Sequence, residues 1–323
     1  MKKIYTLIIS VFIAISIAAC NETVKVPMKP QKLQNVQLFS TLNNDAKVTT
    51  KSIEDAFESV GLSVPSNNDM NKPFKTRFKT VPYKIYNLAI YLNNNLTFKL
   101  LKKYPNFGAL TPLTMSIWEA KDGSMNIATL NINGMARVAN IPLNDPDLIA
   151  YAALIQKGLK TAMPNGSFKE LDYRVKFPKK SLATTFVAQL ELDSQSPEEF
   201  IEEFEAELEG ELEPLGFLVP NYTDVQEEIF DKEGYKDVYD FYHTYSFCKF
   251  DVIYPVSKMH PEAGAWAPCS FYLYKKTGED QMHMGFLSVE NWITTLDISD
   301  DNSTKPLLEA QGMLEAIVND MIQ

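Results

Sequence analysis

The sequence predicts an α+β protein of two tandem two-layer α/β sandwich domains related by internal duplication. Three observations predict this. Short motifs recur in the same order at an offset of about 155 residues. A run with the period-two alternation of a strand opens the second half. A helix start signal follows it directly, so sheet and helix alternate along each copy.

The recurring motifs are specific residues. Gly61-Leu62-Ser63-Val64-Pro65 returns as Gly216-Phe217-Leu218-Val219-Pro220, and Asp69 as Asp224. Gly108-Ala109-Leu110-Thr111-Pro112 returns as Gly264-Ala265-Trp266-Ala267-Pro268. Met125 and Ile127 then match Met282 and Met284, and Pro146 matches Pro306. The expected division is a leader over 1–19, a lipidated cysteine and tether over 20–34, a first repeat over 35–165, a linker over 166–180 and a second repeat over 181–323.

Each copy opens on a strand, expected at Val36 to Phe39 and at Phe186 to Leu192. In the latter Phe186, Ala188, Leu190 and Leu192 alternate with more polar neighbours, as on a half-buried strand. Ser196, Pro197 and Glu199 form a capping box, and Ile201, Phe204 and Leu208 give the helix its buried stripe. The next strand is expected at Tyr86 to Leu92 and at Phe247 to Tyr254. A short helix, Leu96 to Lys103, follows in the first copy and is shortened in the second. A hairpin places Leu113, Met115 and Ile117 on one face before an Asp122-Gly123 turn. The last helix is expected to begin near Pro146 or Pro306, burying Leu148 and Leu154, or Leu308 and Leu314.

Ahead of the repeats, Lys2 and Lys3 precede an apolar run from Ile4 to Ile15. Charge, a short apolar core and small residues before a cut are the layout of an export leader. Ile17-Ala18-Ala19-Cys20 resembles the lipobox of bacterial lipoproteins, which implies a covalent lipid on Cys20 and a membrane anchor with the folded part in the cell envelope or outside. No other cofactor is expected. Each buried methylene contributes about 0.8 kcal/mol, so two or three acyl chains hold firmly where one would not.

The run Tyr86 to Met163 resembles the bacterial family known as domain of unknown function 302. The likeness rests on Leu92-Asn93-Asn94, on Leu96-Thr97-Phe98-Lys99-Leu100-Leu101, and on Pro105, Gly108, Pro112, the strand to Trp118 and Asp122-Gly123. The second copy keeps Gly264 and the Pro268-Cys269 step. The resemblance implies a compact α+β fold and, by the family's own name, no established activity; it carries over no catalytic residues.

Charge and motifs narrow the function. A formal net charge of -10 leaves no basic surplus to displace phosphate counterions, so a nucleic-acid partner is not expected. Nor is there a Gly-Xaa-Ser-Xaa-Gly elbow, a phosphate-cradling loop or an HEXXH helix. Cys248 and Cys269 fall on neighbouring predicted strands and are either a disulfide or two buried thiols. Met259-His260 and Met282-His283-Met284 offer thioether and imidazole donors suited to copper, against the plainer reading of Met282 and Met284 as core. Nine glutamates between Ser196 and Gly216 read as a solvated helix face, and the pairs Asp145/Asp147 and Asp300/Asp301 as helix caps. The leading expectation is a non-catalytic binding or assembly module, with a ligand or protein partner in the groove between the repeats. The alternatives are copper or thiol-redox handling by the second repeat, and an enzyme whose site has no recognised motif.

Overall fold

The computed structural model describes residues 34–192 and 195–322. The leader, Cys20 and most of the tether lie outside them. The first copy runs β1 (Val36–Leu42), α1 (Thr50–Ser59), β2 (Ser63–Asp69), α2 (Asn71–Phe78), β3 (Tyr86–Leu92), α3 (Asn94–Lys103), a 3₁₀ segment (Pro105–Leu110), β4 (Leu113–Glu119), β5 (Ser124–Leu130), α4 (Ile132–Ala139) and α5 (Pro146–Ala162). A short strand, β6 (Ser167–Lys169), then pairs antiparallel with β1.

The second copy repeats the plan: β7 (Ala183–Gln189), α6 (Pro197–Leu212), β8 (Leu218–Asp224), a π turn (Gln226–Phe230), β9 (Tyr239–Cys248), α7 (Phe250–Met259), a 3₁₀ segment (Pro261–Ala265), β10 (Cys269–Lys276), β11 (Gln281–Leu287), α8 (Glu290–Thr295) and α9 (Asp301–Met321). The sheets are ordered β2-β3-β4-β5-β1-β6 and β7-β11-β10-β9-β8. Read from the β8 end, the second order matches the first five strands of the first. The duplication is therefore one of topology as well as of motif. Both copies also carry a cis peptide before the matched proline, Thr111–Pro112 and Ala267–Pro268.

Four expected elements shift. The strand expected at Phe186 to Leu192 is β7, Ala183–Gln189, so it starts three residues earlier and leaves Leu190 and Leu192 outside. The apolar run Phe247 to Tyr254 is not a strand: β9 ends at Cys248 and residues from Phe250 onward form α7. The second copy therefore keeps the short helix at full length. In α3 the Asn93 side chain accepts from the Leu96 N–H, whereas Lys249 caps α7 with no side-chain bond, so the start signal is missing from the sequence. The last helix begins at Asp301, not at Pro306, which lies inside it. Its N-cap Asp300 accepts from the Ser303 N–H, as Asp145 accepts from Asp147 and Leu148 in α5. Asp145 and Asp300 are thus the equivalent pair. With the phase moved, Leu307 is buried and Leu308 is exposed.

The two copies share a core. One cluster joins Phe57, Tyr91 and Ile155 of the first to Tyr242, Trp266 and Tyr272 of the second; a smaller one lies under α6 and contains Ile201, Phe204, Leu208, Met282 and Met284. The exchange is reciprocal. Tyr86 donates its hydroxyl to the Pro261 carbonyl at 3.2 Å, and Tyr242 donates to the Pro105 carbonyl. The matched glycines sit where these surfaces touch. A Cβ on Gly108 would stand 2.7 Å from the Tyr272 Cβ, and one on Gly264 2.5 Å from Leu88 Cδ2 and Ser116 Cβ. The recurring Gly-Ala motif is the contact that joins the copies.

Candidate inter-repeat cleft and polar site

Joining the copies leaves a cleft where β2, the edge strand of one sheet, meets β8, the edge strand of the other. Its volume is about 320 Å³. Met70 and Leu88 from the first copy face Val219 and Phe250 from the second, so the walls are mostly apolar. Polar groups gather on the first-copy side. Asn68 Nδ2 donates to Ser66 Oγ at 2.7 Å, and Asp69 Oδ1 accepts from the Asn71 N–H at 2.9 Å. Asp69 is exposed and pairs with no basic side chain in the cleft lining. Such a pocket accepts an apolar body and favours a donor or cationic end over an anionic one.

Cys248 lines this cleft and, with Cys269, a smaller apolar cavity of about 70 Å³ near Trp292 and Leu314. The two thiols are unbonded. Although both line the same cavity, Cys269 is registered with Phe247, so Cys248 is not its direct cross-strand partner. Burial pushes each thiol up to about 12, Cys269 with a smaller contribution from Cys248. Near neutral pH both stay in the unreactive protonated form.

The Met and His residues proposed for copper are not gathered. Met282 is fully buried in the second core while Met259 is 65% exposed. His260 Nδ1 faces Glu262 at 3.4 Å, and His283 stacks on the Tyr274 ring at 4.9 Å. Among the described residues, the grouping of three His, Cys, Asp or Glu donors that the structure forms is Glu54, Asp55 and Glu58, with no histidine in it. Lys51 already pairs with Glu54 at 2.6 Å and Asp55 at 2.9 Å.

A polar group that the motifs did not point to surrounds the third histidine. His243 is buried on β9, directly opposite Asp224 on β8. Its Nδ1 lies 2.5 Å from Glu205 Oε1, and its Nε2 lies 3.7 Å from Asp224 Oδ2. Glu205 is one of the nine glutamates between Ser196 and Gly216, turned inward from the solvated face. Burial, followed by the Glu205 carboxylate, holds the Tyr245 phenol far above its ordinary range. The sequence carried a trace of this site: Asp69 recurs as Asp224, but its partner changes from Asn87 to His243.

Domain of unknown function DUF302 matches residues 40–163 and, a second time, residues 192–321. The chain belongs to the DUF302 family. A solved DUF302 protein, an uncharacterized conserved protein from Bacillus stearothermophilus, is similar over 45% of this chain and 100% of its own length, at 16% identity and a TM-score of 0.36. No curated protein matches. The matched spans fall one in each copy, so this is a tandem DUF302 chain.

Proposed function

We propose that this tandem DUF302 chain is a lipid-anchored binding protein of the bacterial cell envelope, holding a small, mainly apolar ligand between its repeats. The observation that carries the binding reading is the cleft of about 320 Å³ walled by both copies. Neither copy alone encloses it, which gives the duplication a use: two like domains in one chain do what a twofold dimer does at its interface. Asp69 at the rim, with Ser66 and Asn68, favours a ligand whose polar end donates hydrogen bonds or carries positive charge.

The address is supported by the leader pattern: Lys2 and Lys3, the apolar run, and small residues before Cys20. Among the described residues no helix is long and apolar enough to cross a membrane, so in this reading the lipid on Cys20 supplies the attachment. A non-catalytic role fits a cleft whose one thiol, Cys248, is held protonated.

The test uses the full chain purified from membranes. Nile red, an apolar fluorescent probe, binds with enhanced emission, and a Val219→Trp change that fills the cleft weakens it at least tenfold while leaving the thermal midpoint within a few degrees. Equal binding by both proteins would remove the cleft as the site. Separately, palmitate label enters the native chain and not a Cys20→Ser variant; label absent from both would remove the anchor.

A further inference from the structure

We propose that His243 and Asp224 hold a divalent transition-metal cation of the zinc type, with Glu205 fixing the imidazole as a positioning residue. The site lies on the face of the second sheet toward α6, away from the inter-repeat cleft, and does not depend on it.

Register comes first. Asp224 and His243 are direct partners across β8 and β9, so both side chains leave the same face of the sheet. Glu205 reaches the ring from α6 and accepts from Nδ1 at 2.5 Å. With the proton on Nδ1, the Nε2 lone pair points at Asp224 Oδ2, 3.7 Å away. That separation is longer than a hydrogen bond, and in this tautomer a cation can sit between the two atoms. With metal–donor bonds of about 2.0–2.2 Å, donors this far apart subtend roughly 125°, an open tetrahedral angle. A carboxylate on the far nitrogen is the usual outer partner of a metal-bound imidazole, orienting the ring and raising its basicity.

Access and completion follow from the surroundings. The Asp224 side chain is 29% exposed while that of His243 is 9% exposed, so the open coordination positions face the solvent side. Exposed Glu227 and Glu228 stand in the same patch as Asp224, beside the Tyr222 ring that packs 5.3 Å from His243. Water completes the shell.

The first copy is a built-in control. Where His243 stands, it has Asn87, whose Nδ2 donates to Asn67 Oδ1 at 2.9 Å. Asp69 is retained opposite Asn87, yet the neutral amides satisfy each other and no imidazole faces the carboxylate. His243→Asn therefore writes the first copy's residue into the second.

The full chain, stripped of metal, is titrated with Zn²⁺ by calorimetry and loaded with Cu²⁺ for electron paramagnetic resonance. One equivalent of Zn²⁺ binds, and Cu²⁺ shows coupling to a single imidazole nitrogen. His243→Asn loses the nitrogen signature; His260→Asn and His283→Asn keep it. Glu205→Gln weakens Zn²⁺ about 10- to 100-fold. Asp224→Asn, a surface-side change, weakens it as well and covers the case in which the His243 variant does not fold. Absence of stoichiometric uptake would overturn the proposal and leave His243 as a buried ring set between two carboxylates. Uptake unchanged in the His243 or Asp224 variant would overturn it equally, placing the cation elsewhere.

Discussion

Gly108 and Gly264 are small because another copy's sheet occupies the space a side chain would need. Adding a methyl at Gly264 drives it into Leu88 and the Ser116 Cβ on β3 and β4, and at Gly108 into Tyr242 and Tyr272. Neither neighbour is the free end of a flexible chain alone, so the sheets must shift. Each Gly→Ala change is expected to cost about 1–3 kcal/mol by overpacking, read as a lowered urea midpoint at unchanged slope. A glycine at an exposed α9 position, Gly312, has open space around its Cβ direction, and Gly312→Ala is expected to be neutral or stabilising by up to about 1 kcal/mol. The thiols give a second residue-scale test. Alkylation of the unfolded chain without reductant labels both Cys248 and Cys269, while the folded chain reacts slowly; adducts that appear only after reduction would show a disulfide.

At the scale of elements, legibility in the sequence followed the strength of local signals. The capping box Ser196–Glu199 and the stripe Ile201, Phe204 and Leu208 are found as read, because caps and helical periodicity are local. β3 is found at Tyr86–Leu92, and the Met282/Met284 alternation is core. The misreading of α7 has a physical cause: eight residues rich in Phe, Val, Ile and Tyr suit a buried strand or a buried helix, Lys249 supplies no cap, and Pro255 argues against a helix it nevertheless occupies. Asp145 shows what a cap adds when paired. Burial alone would raise its carboxyl, but Lys103 at 2.5 Å and the Leu148 and Asp147 amides outweigh it and hold the group below the usual range. A folded-state value below the unfolded one contributes stability that is complete above about pH 4 and is lost as pH falls through the lower, folded-state value. Asp145→Asn is therefore expected to destabilise at pH 7 by about 1 kcal/mol, with the gap to the native chain closing in strong acid. A gap that stays constant with pH would put the effect down to packing.

For the whole molecule, the sequence showed two copies but not that they form one body. The reason lies in β3, β4 and β5, which are buried along nearly their whole length. A sheet covered on both faces loses period-two alternation and carries no mark of what covers its second face. The alternation survives at β7, an edge strand whose outer face stays exposed. The His243 site was hidden for a similar reason: its three residues come from α6, β8 and β9, and they converge only after the second copy folds. The cleft was likewise invisible, since its walls come from two copies whose packing is set by tyrosine-to-carbonyl bonds and glycine contacts far apart in the chain.

Everything at this scale rests on the copies folding as a unit, and tryptophan reports on each half. Trp118 lies in the first copy; Trp266 and Trp292 lie in the second, and all three are buried. The measurement is urea unfolding of two full-length variants, one retaining Trp118 alone and one retaining Trp266 alone, followed by fluorescence beside far-ultraviolet circular dichroism of each variant. The shared core predicts that, within each variant, the fluorescence and dichroism transitions coincide in midpoint and slope. A fluorescence transition displaced from the dichroism curve, one half melting while the other stays folded, would contradict it and remove the cleft with it.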